Sequence, residues 1–474
     1  MSEELKALRD IITNSINSIL DICESSGQDF PYLSRPVDDS EFTPDGIRND
    51  PVVSNSISTA VAASFQLIAT LQSPPTTLAT MAFRSSLPAA LGVAEAVHVA
   101  EILRMAGPRG LHVKDICDQS PSIIDSKKLS RILRFLATNH WFNEVAPDVY
   151  SNNLLSSLLD TKKSPSELGF SETKHKGSSG LAAIVGYGAD EVLKSMSYLP
   201  ETLLDPDIAL SEEPNETSFQ RALGTQLDNW EYYDSGDKLA SYRRDRFSIA
   251  MSGTNKLYAP KAIVAAFDWG SLPDGSLIVD VGAGKGHVSL EIARAFPNLR
   301  IVVEDRAAII EEAKVYWRAE LPSHVEDRKV EFVAASFFNP QPKLSQTPKV
   351  FVMRMITHDW SDKYCIKILK NLRLASGADT RLIIIDSVMK YACEEKNSET
   401  PTTDGPPYPL LPNLGGANIL SYAVDIQMLA LLNAAERTID SFKNIINGGD
   451  WRLIEIRKNP SSKVWWPSLI CAPA

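Results

Sequence analysis

The feature that most constrains the fold is a strand that runs through a glycine-rich turn into a helix between residues 275 and 296. The strand reads LIVDV, and Gly282, Gly284 and Gly286 follow it within five residues. Glycines in this place let the backbone turn sharply and let a ligand approach the chain closely. The pattern predicts a nucleotide-binding turn, and an ordinary tight turn of an α/β sheet is the alternative.

The rest of the C-terminal half repeats the same alternation of strand and helix. Short runs rich in Val and Ile (LRIVVEDR, KVEFVAASFF, KVFVMRMI and TRLIIIDSVM) are separated by stretches with helical periodicity. Strands that alternate with helices predict a parallel, doubly wound sheet. We therefore expect an α/β fold with a Rossmann-like C-terminal domain over residues 271–474.

The N-terminal half has a different pattern, which predicts three further segments. Residues 1–80 contain two helices joined by a proline-containing linker, and these helices either wrap a partner subunit or pack on their own chain. Residues 81–160 follow the order of a winged-helix domain. Residues 161–270 are mostly helical and rich in aromatic residues and methionine, so they either line an apolar pocket or form ordinary core.

The composition excludes several classes of function. The net charge of −11 argues against nucleic acid as a partner, although four basic residues lie on the third helix of the winged-helix segment. The five cysteines have no paired spacing, which indicates reduced thiols and no metal site. No secretory signal and no run of 18 apolar residues is visible, so we expect no membrane association and a cytoplasmic protein.

Acidic residues at two strand ends indicate which nucleotide the turn binds. Asp280 precedes the glycines and suits a cationic amino-acid moiety better than a pyrophosphate. Asp305 follows Gly282 by 23 residues, at the end of the next strand, where a carboxylate can accept bonds from ribose hydroxyls; its neighbour Glu304 is the alternative. No GK[ST] phosphate loop is present, which argues against ATP.

A candidate base follows the strand KVFVMRMI, at the sheet edge where doubly wound proteins place their chemistry. His358 there can take a proton from a phenol or an alcohol, with the adjacent Asp359 as a possible orienting group. Asp386 and Glu436 lie downstream, and a carboxylate beside the imidazole would fix its tautomer. A structural histidine and solvated acidic residues are the alternatives.

Four motifs together resemble the S-adenosylmethionine-dependent O-methyltransferases of the caffeate/hydroxyneurosporene type, in particular their fungal branch. The motifs are DVGAGKG (280–286), VVEDR (302–306), MRMITHDWSD (353–362) and DIQMLALLNAAERT (425–438). The resemblance covers about residues 85–458. It implies S-adenosylmethionine as cofactor, methylation of a hydroxyl on a small aromatic or polyketide-like molecule, and a homodimer formed through the winged-helix domain.

The resemblance also implies roles for individual residues. It makes His358 the general base and Asp386 and Glu436 the acids that flank it. The implied cofactor contacts are Asp280, Gly282, Gly284, Gly286, Asp305, Arg306, Ser336, Phe337 and Arg354. The implied substrate contacts are Trp230, Phe247, Met251, Met428 and Asn433.

The chain departs from the family pattern at several positions. Ser336 stands where an aspartate commonly holds the adenine amine, and Lys285 and His287 are unusual in the glycine turn. The linker at 25–54 and the insertion at 394–418 are additional. These departures leave two alternatives: a pericyclase or dehydratase that uses the bound sulfonium as a fixed charge, and a non-catalytic protein that uses the winged helix to bind partners.

Overall fold

A seven-stranded sheet forms the centre of the C-terminal half in the computed structural model, which describes residues 3–38, 43, 46–164, 167, 173–254, 262–394, 405–458 and 467–474. The strands are β4 (Leu277–Val281), β5 (Arg300–Asp305), β6 (Val330–Ala334), β7 (Val350–Arg354), β8 (Arg381–Ile385), β9 (Trp451–Arg457) and β10 (Ser468–Pro473). Their order is β6-β5-β4-β7-β8-β10-β9. The first five run parallel, and β10 pairs antiparallel with both β8 and β9.

Helices cover both faces of this sheet, which explains why its central strands are apolar along their whole length. The helices are α14 (Ala262–Ala265), α15 (His287–Ala295), α16 (Ala307–Glu320), α17 (Pro322–Glu326), α18 (Asp362–Leu374), α19 (Ile419–Leu432) and α20 (Ile439–Gly448). One core layer packs α18 and α20 on the sheet, and the other packs α14 to α16. The predicted α/β class and Rossmann-like sheet are confirmed.

The strand order places a crevice at the carboxyl ends of β4 and its neighbours. Strand β4 pairs with β5 on one side and with β7 on the other, so the chain leaves β4 in one direction and returns on the opposite side. Ligands of open α/β sheets bind at such a switch point, because the connecting loops diverge there. The glycine turn and the His358 segment both lie at this edge.

The N-terminal helices are α1 (Glu3–Ser26), α2 (Pro51–Leu71) and α3 (Pro74–Ala82). Helix α2 begins four residues before the predicted start, because Asp50 caps it by accepting bonds from the amides of Val52 and Val53. Helix α1 packs on α2, and both contact the segment around Leu410. Packing on the same chain is therefore observed.

Two helices are long and apolar enough to cross a membrane by length and composition alone: Pro51–Leu71 and Gly415–Leu432. A bent pair, Ser86–Ala96 with Val99–Arg109, passes the same test when taken as one span. The sequence has no run of 18 apolar residues, but the polar residues that interrupt these helices, such as Ser and Asn, leave their average hydropathy high enough to pass this test. The expectation that nothing spans a membrane stays a prediction.

The winged-helix order is present in residues 86–151. The elements are α4 (Ser86–Ala96), α5 (Val99–Ala106), β1 (Leu111–His112), α6 (Val113–Gln119), α7 (Ser126–Thr138), β2 (Asn143–Ala146) and β3 (Val149–Ser151). The apolar sequence of residues 87–103 predicts one helix, but the structure breaks it at His98, which adopts a left-handed conformation with φ +63°. The break lets both halves pack on α7 or its neighbours in one core.

The connector between the two halves is helical, as predicted. Its helices are α8 (Leu181–Tyr187), α9 (Leu193–Ser197), α10 (Leu199–Leu203), α11 (Ser218–Leu223), α12 (Asn229–Tyr233) and α13 (Lys238–Gly253), with a π-helical turn at Gly188–Val192. Several of these elements pack against α19 of the C-terminal half. The connector therefore lies beside α19, which also packs against the turn Thr357–Asp359 that follows β7.

Candidate active site

The glycine turn has the backbone geometry that its sequence predicts. Gly282, Gly284 and Gly286 all have positive φ, between +58° and +80°. A side chain at Gly282 would overlap Ile356, and one at Gly286 would lie 2.5 Å from the indole nitrogen of Trp317. Glycine is therefore required both for the turn and for its close packing.

Two acidic residues hold this turn, and both remain able to bind a ligand. Asp280 is 2% exposed and accepts a bond from the Ser289 amide at 3.2 Å; burial raises its pKa to about 6. Asp305 accepts bonds from the amides of Gly284 at 2.8 Å and Arg306 at 2.7 Å. A carboxylate has about four lone-pair positions, so Asp305 retains capacity for ribose hydroxyls.

The predicted alternative to Asp305 points elsewhere. Glu304 is 1% exposed and accepts a bond from the Gln341 amide at 3.0 Å, and burial raises its pKa to about 7. Because successive residues of a strand face opposite sides, Glu304 and Asp305 cannot both face the turn. The bond to Gly284 makes Asp305 the acid at the turn.

Other predicted cofactor contacts surround the same crevice. Phe337 lies next to Gly282 and packs edge-on against Trp360, whereas Ser336 is exposed and caps its own turn by accepting from the Phe338 amide. Arg354 ends strand β7, and its charge lowers the pKa of Asp280 against the larger effect of burial. Contact of these residues with a cofactor stays a prediction.

Arg306 contacts the connector, and its predicted contact with the cofactor stays a prediction. Its guanidinium pairs with Asp234 and lies over the ring of Trp230, 5.5 Å from the centroid. Trp230 lies in α12 and Asp234 directly follows that helix, so Arg306 joins the connector to the end of strand β5. In the part of the chain that the structure describes, the Arg306 guanidinium therefore contacts two side chains of the connector.

His358 lies in the short 3₁₀ helix Thr357–Asp359 that follows β7. This helix is called the catalytic turn below, after the role that the sequence predicts for His358. His358 is 6% exposed, and its Nδ1 lies 2.8 Å from Glu436 Oε1. Its Nε2 lies 3.4 Å from Asp359 Oδ1. The two nitrogens of the ring thus face one carboxylate each.

The electrostatics of this turn favour a proton on the imidazole. Burial acts to lower the pKa of His358, but the Asp359 and Glu436 carboxylates outweigh it and raise the pKa to about 10. Burial raises the pKa of Asp359 to about 7 against the opposing effect of His358. The arrangement makes His358 a stronger base than an exposed histidine.

Asp386 does not bind the imidazole among the described contacts. Its Oδ2 accepts bonds from the amide of Thr357 at 3.1 Å and from the Thr357 hydroxyl. It is close enough to His358 for each charge to affect the other, and burial raises its pKa. Asp386 therefore positions the catalytic turn, whereas the sequence prediction placed it beside the ring.

Arg437 also holds the catalytic turn, and sequence analysis missed this role. Its guanidinium donates to the carbonyl oxygens of Thr357 and of Trp360, the latter at 2.7 Å, and to Asp362 at 2.9 Å. The signal was present in the motif NAAERT, because Arg437 directly follows Glu436. One short segment thus supplies both the partner of His358 and the clamp on its turn.

The predicted substrate residues divide into two groups. Trp230, Phe247 and Met428 belong to one apolar cluster, in which the Trp230 and Phe247 rings lie 5.8 Å apart. Met251 is half-buried one turn after Phe247 and is not part of that cluster. Asn433 uses its side-chain amide to donate to the carbonyls of Ser211 at 2.7 Å and Glu213 at 3.3 Å, so it holds a loop.

The structure also places an unpredicted tyrosine in the aromatic cluster. Tyr187 is 6% exposed, and its ring lies edge-on to Phe247 at 5.5 Å.

No cluster of three or more His, Cys, Asp or Glu residues that could hold a metal ion is found in the part of the chain that the structure describes.

The sheet order, the glycine turn with its two acids and the histidine at the facing strand end define a methyltransferase of the S-adenosylmethionine-dependent class. Comparison with known proteins gives the narrower assignment. The family model of the O-methyltransferase domain matches residues 206–452. The chain belongs to this O-methyltransferase family, and it is an S-adenosylmethionine-dependent enzyme.

Individual relatives support the same assignment. An O-methyltransferase of Armillaria gallica is 38% identical over 96% of each chain. A 4-O-methyltransferase of Phanerochaete chrysosporium is 32% identical over the full length of both. Among solved structures, LepI in complex with SAH and a substrate analogue superposes with a TM-score of 0.67 at 18% identity, covering 87% of this chain and 92% of that one. At this identity the likeness shows the fold alone.

Proposed function

We propose that the enzyme methylates a hydroxyl of a small aromatic or polyketide-like molecule of secondary metabolism, with His358 as the general base. The observation that carries the proposal is the buried His358–Glu436 contact of 2.8 Å, at the sheet edge that also holds the glycine turn. The apolar aromatic cluster of the connector is the proposed acceptor site, and it suits a flat, largely uncharged molecule.

Each residue has a defined task in this proposal. Glu436 holds Nδ1–H of the imidazole and stabilises the positive charge that the ring acquires. His358 Nε2 accepts the proton of the acceptor hydroxyl, whose oxygen forms the new bond to carbon. When bound, S-adenosylmethionine supplies the electrophilic methyl group, and the electron pair of the broken C–S bond stays on sulfur. General base catalysis of this kind contributes about 10²–10⁴ in rate.

The cofactor would bind to residues in and around the glycine turn. Asp280 with Arg354 suits the amino-acid moiety, Asp305 suits the ribose hydroxyls, and Phe337 offers a ring face to the adenine. Ser336 is exposed on its own turn and contributes at most a hydroxyl to the adenine amine.

The proposal is tested by incubating the enzyme with S-adenosylmethionine carrying a deuterated methyl group and a panel of phenolic and polyketide acceptors. Mass spectrometry should find both a deuteriomethyl ether and S-adenosylhomocysteine. Conversion of an acceptor without S-adenosylhomocysteine formation would instead support the pericyclase or dehydratase alternative.

We further propose that the active form is a homodimer. Residues 51–83 and 405–424 contain no charged residue. Helix α3 buries none of its side chains, and Leu78 and Phe83 are each 74% exposed. Apolar surface of this kind marks an interaction site, and a second copy of the same chain is the proposed occupant.

The cysteines support a reducing compartment. All five are free thiols, and Cys365 and Cys471 are buried in the core of the sheet. Disulfides are rare in reducing compartments, so this pattern suits a cytoplasmic enzyme.

A further inference from the structure

Tyr187 is the last residue of α8, immediately before the π-helical turn Gly188–Val192. A π-helical turn adds one residue to the repeat and so changes the direction of the side chains next to it; such turns are frequent at functional sites. Here it accompanies a tyrosine that lies in the aromatic cluster, edge-on to Phe247.

The hydroxyl of Tyr187 is held by one side chain of α19. Gln427 Nε2 donates to this oxygen at 3.1 Å. A phenol hydroxyl both donates and accepts, and among the described residues no bond gives the Tyr187 proton an acceptor. A buried hydroxyl with an unused proton is unfavourable unless a ligand completes its bonding.

Helix α19 brings this hydroxyl close to the catalytic turn. It packs against both the π-helical turn and the Thr357–Asp359 turn, and Met428 next to Gln427 is part of the aromatic cluster. Burial is the main cause that raises the pKa of Tyr187, and Asp359 is among the charges that raise it further. The phenol therefore stays protonated and lies within electrostatic range of the residue next to His358.

We propose that Tyr187 donates a hydrogen bond to a second oxygen of the acceptor molecule, while Gln427 holds the phenol in place. The inference rests on the methyl transfer proposed above and narrows its acceptors to aromatic molecules with at least two oxygens. One oxygen is methylated at His358, and the other accepts the Tyr187 proton and fixes the orientation of the ring.

The test measures binding, so it does not require transfer. Enzyme saturated with S-adenosylhomocysteine is titrated calorimetrically with 2-, 3- and 4-methoxyphenol and with the matching ethylphenols, which replace the ether oxygen by a methylene of similar shape. The wild type should bind at least one methoxyphenol about 5-fold more tightly than its ethyl counterpart, since a hydrogen bond of this kind contributes about 1 kcal/mol.

Tyr187→Phe should bring the ratio of the methoxyphenol affinity to the ethylphenol affinity close to one and leave the affinity for the ethylphenol unchanged. Tyr233→Phe is the matched control, because its hydroxyl already donates to Glu191 at 2.9 Å, and it should keep the wild-type ratio. An unchanged ratio in Tyr187→Phe, or a wild type that prefers no methoxyphenol, would overturn the inference. A wild type that prefers the methoxyphenol but transfers no methyl group would contradict the proposed function and not the hydrogen bond from Tyr187.

Discussion

At the scale of single residues, the two carboxylates that face His358 decide when the base is available. A general base acts in its neutral form, and Asp359 and Glu436 hold the pKa of His358 at about 10. Activity should therefore continue to rise at pH values above the pKa of an ordinary histidine. As the pH falls through the pKa of His358, the ring becomes charged and transfer is lost.

Glu436→Gln tests this electrostatic assignment. The substitution removes a negative charge 2.8 Å from the ring, so the pKa of His358 should fall by about one to three units. The acidic limb of the kcat/KM profile, measured from pH 6 to 10, should move to lower pH, and the maximal rate should drop because the ring loses its charged partner. Glu216→Gln, on the connector loop, should leave the limb in place; an unmoved limb in Glu436→Gln would contradict the assignment.

The residue types of the site and the pairing of His358 with Glu436 could be predicted from the sequence, but the partners of Asp386 and Asn433 could not. His358 and Glu436 are 78 residues apart, and their motifs indicate that both belong to the site. Asp386 was expected at the ring and instead binds Thr357, because its strand ends beside the backbone of the catalytic turn. Asn433 was expected to face substrate, but its left-handed backbone, with φ +54°, turns its amide toward a loop.

At the scale of elements, the glycine turn provides a comparison between two positions with similar backbone strain. An added Cβ at Gly284 would meet no atom within 4 Å, whereas one at Gly286 would meet the buried Trp317 indole. Gly284→Ala should cost about 1–2 kcal/mol in the free energy of unfolding, from the positive φ alone. Gly286→Ala should cost about 1–3 kcal/mol more, because the rigid indole must move.

Urea denaturation followed by circular dichroism measures this difference. The two variants serve as controls for each other, since both glycines have left-handed backbone conformations. Equal midpoints for the two would show that the packing of Trp317 under the turn is not as described.

The elements of the sheet were the most predictable part of the fold. Buried parallel strands are continuous apolar runs, and each expected run from β4 to β8 is a strand. The helix break at His98 was not predicted, because apolar periodicity continues across it and the left-handed residue there is not a glycine. Both halves pack into the core that also contains α7, and local sequence does not reveal this packing.

At the scale of the whole molecule, the charge-free surface of α2 and α3 predicts self-association. The double variant Leu78→Lys/Phe83→Glu places charges on two strongly exposed apolar positions. Burial of these charges in an interface would cost free energy of desolvation. Analytical ultracentrifugation should find a dimer for the wild type and a monomer for the double variant. Leu210→Lys, at a 97% exposed position in the connector, should remain dimeric.

A wild type that sediments as a monomer would contradict the dimer proposal. A dimer that persists in the double variant would place the interface on another surface. Neither outcome would affect the assignment of the cofactor crevice, which is built within one chain from β4, β5 and β7.

The central claim is that one imidazole removes a proton at a crevice that binds S-adenosylmethionine. It is tested most directly by His358→Gln, assayed for methyl transfer to the best acceptor of the panel and for S-adenosylhomocysteine affinity by calorimetry. The rate of transfer should fall by about 10²–10⁴ while the affinity stays within about twofold of the wild type. Transfer at the wild-type rate would contradict the claim.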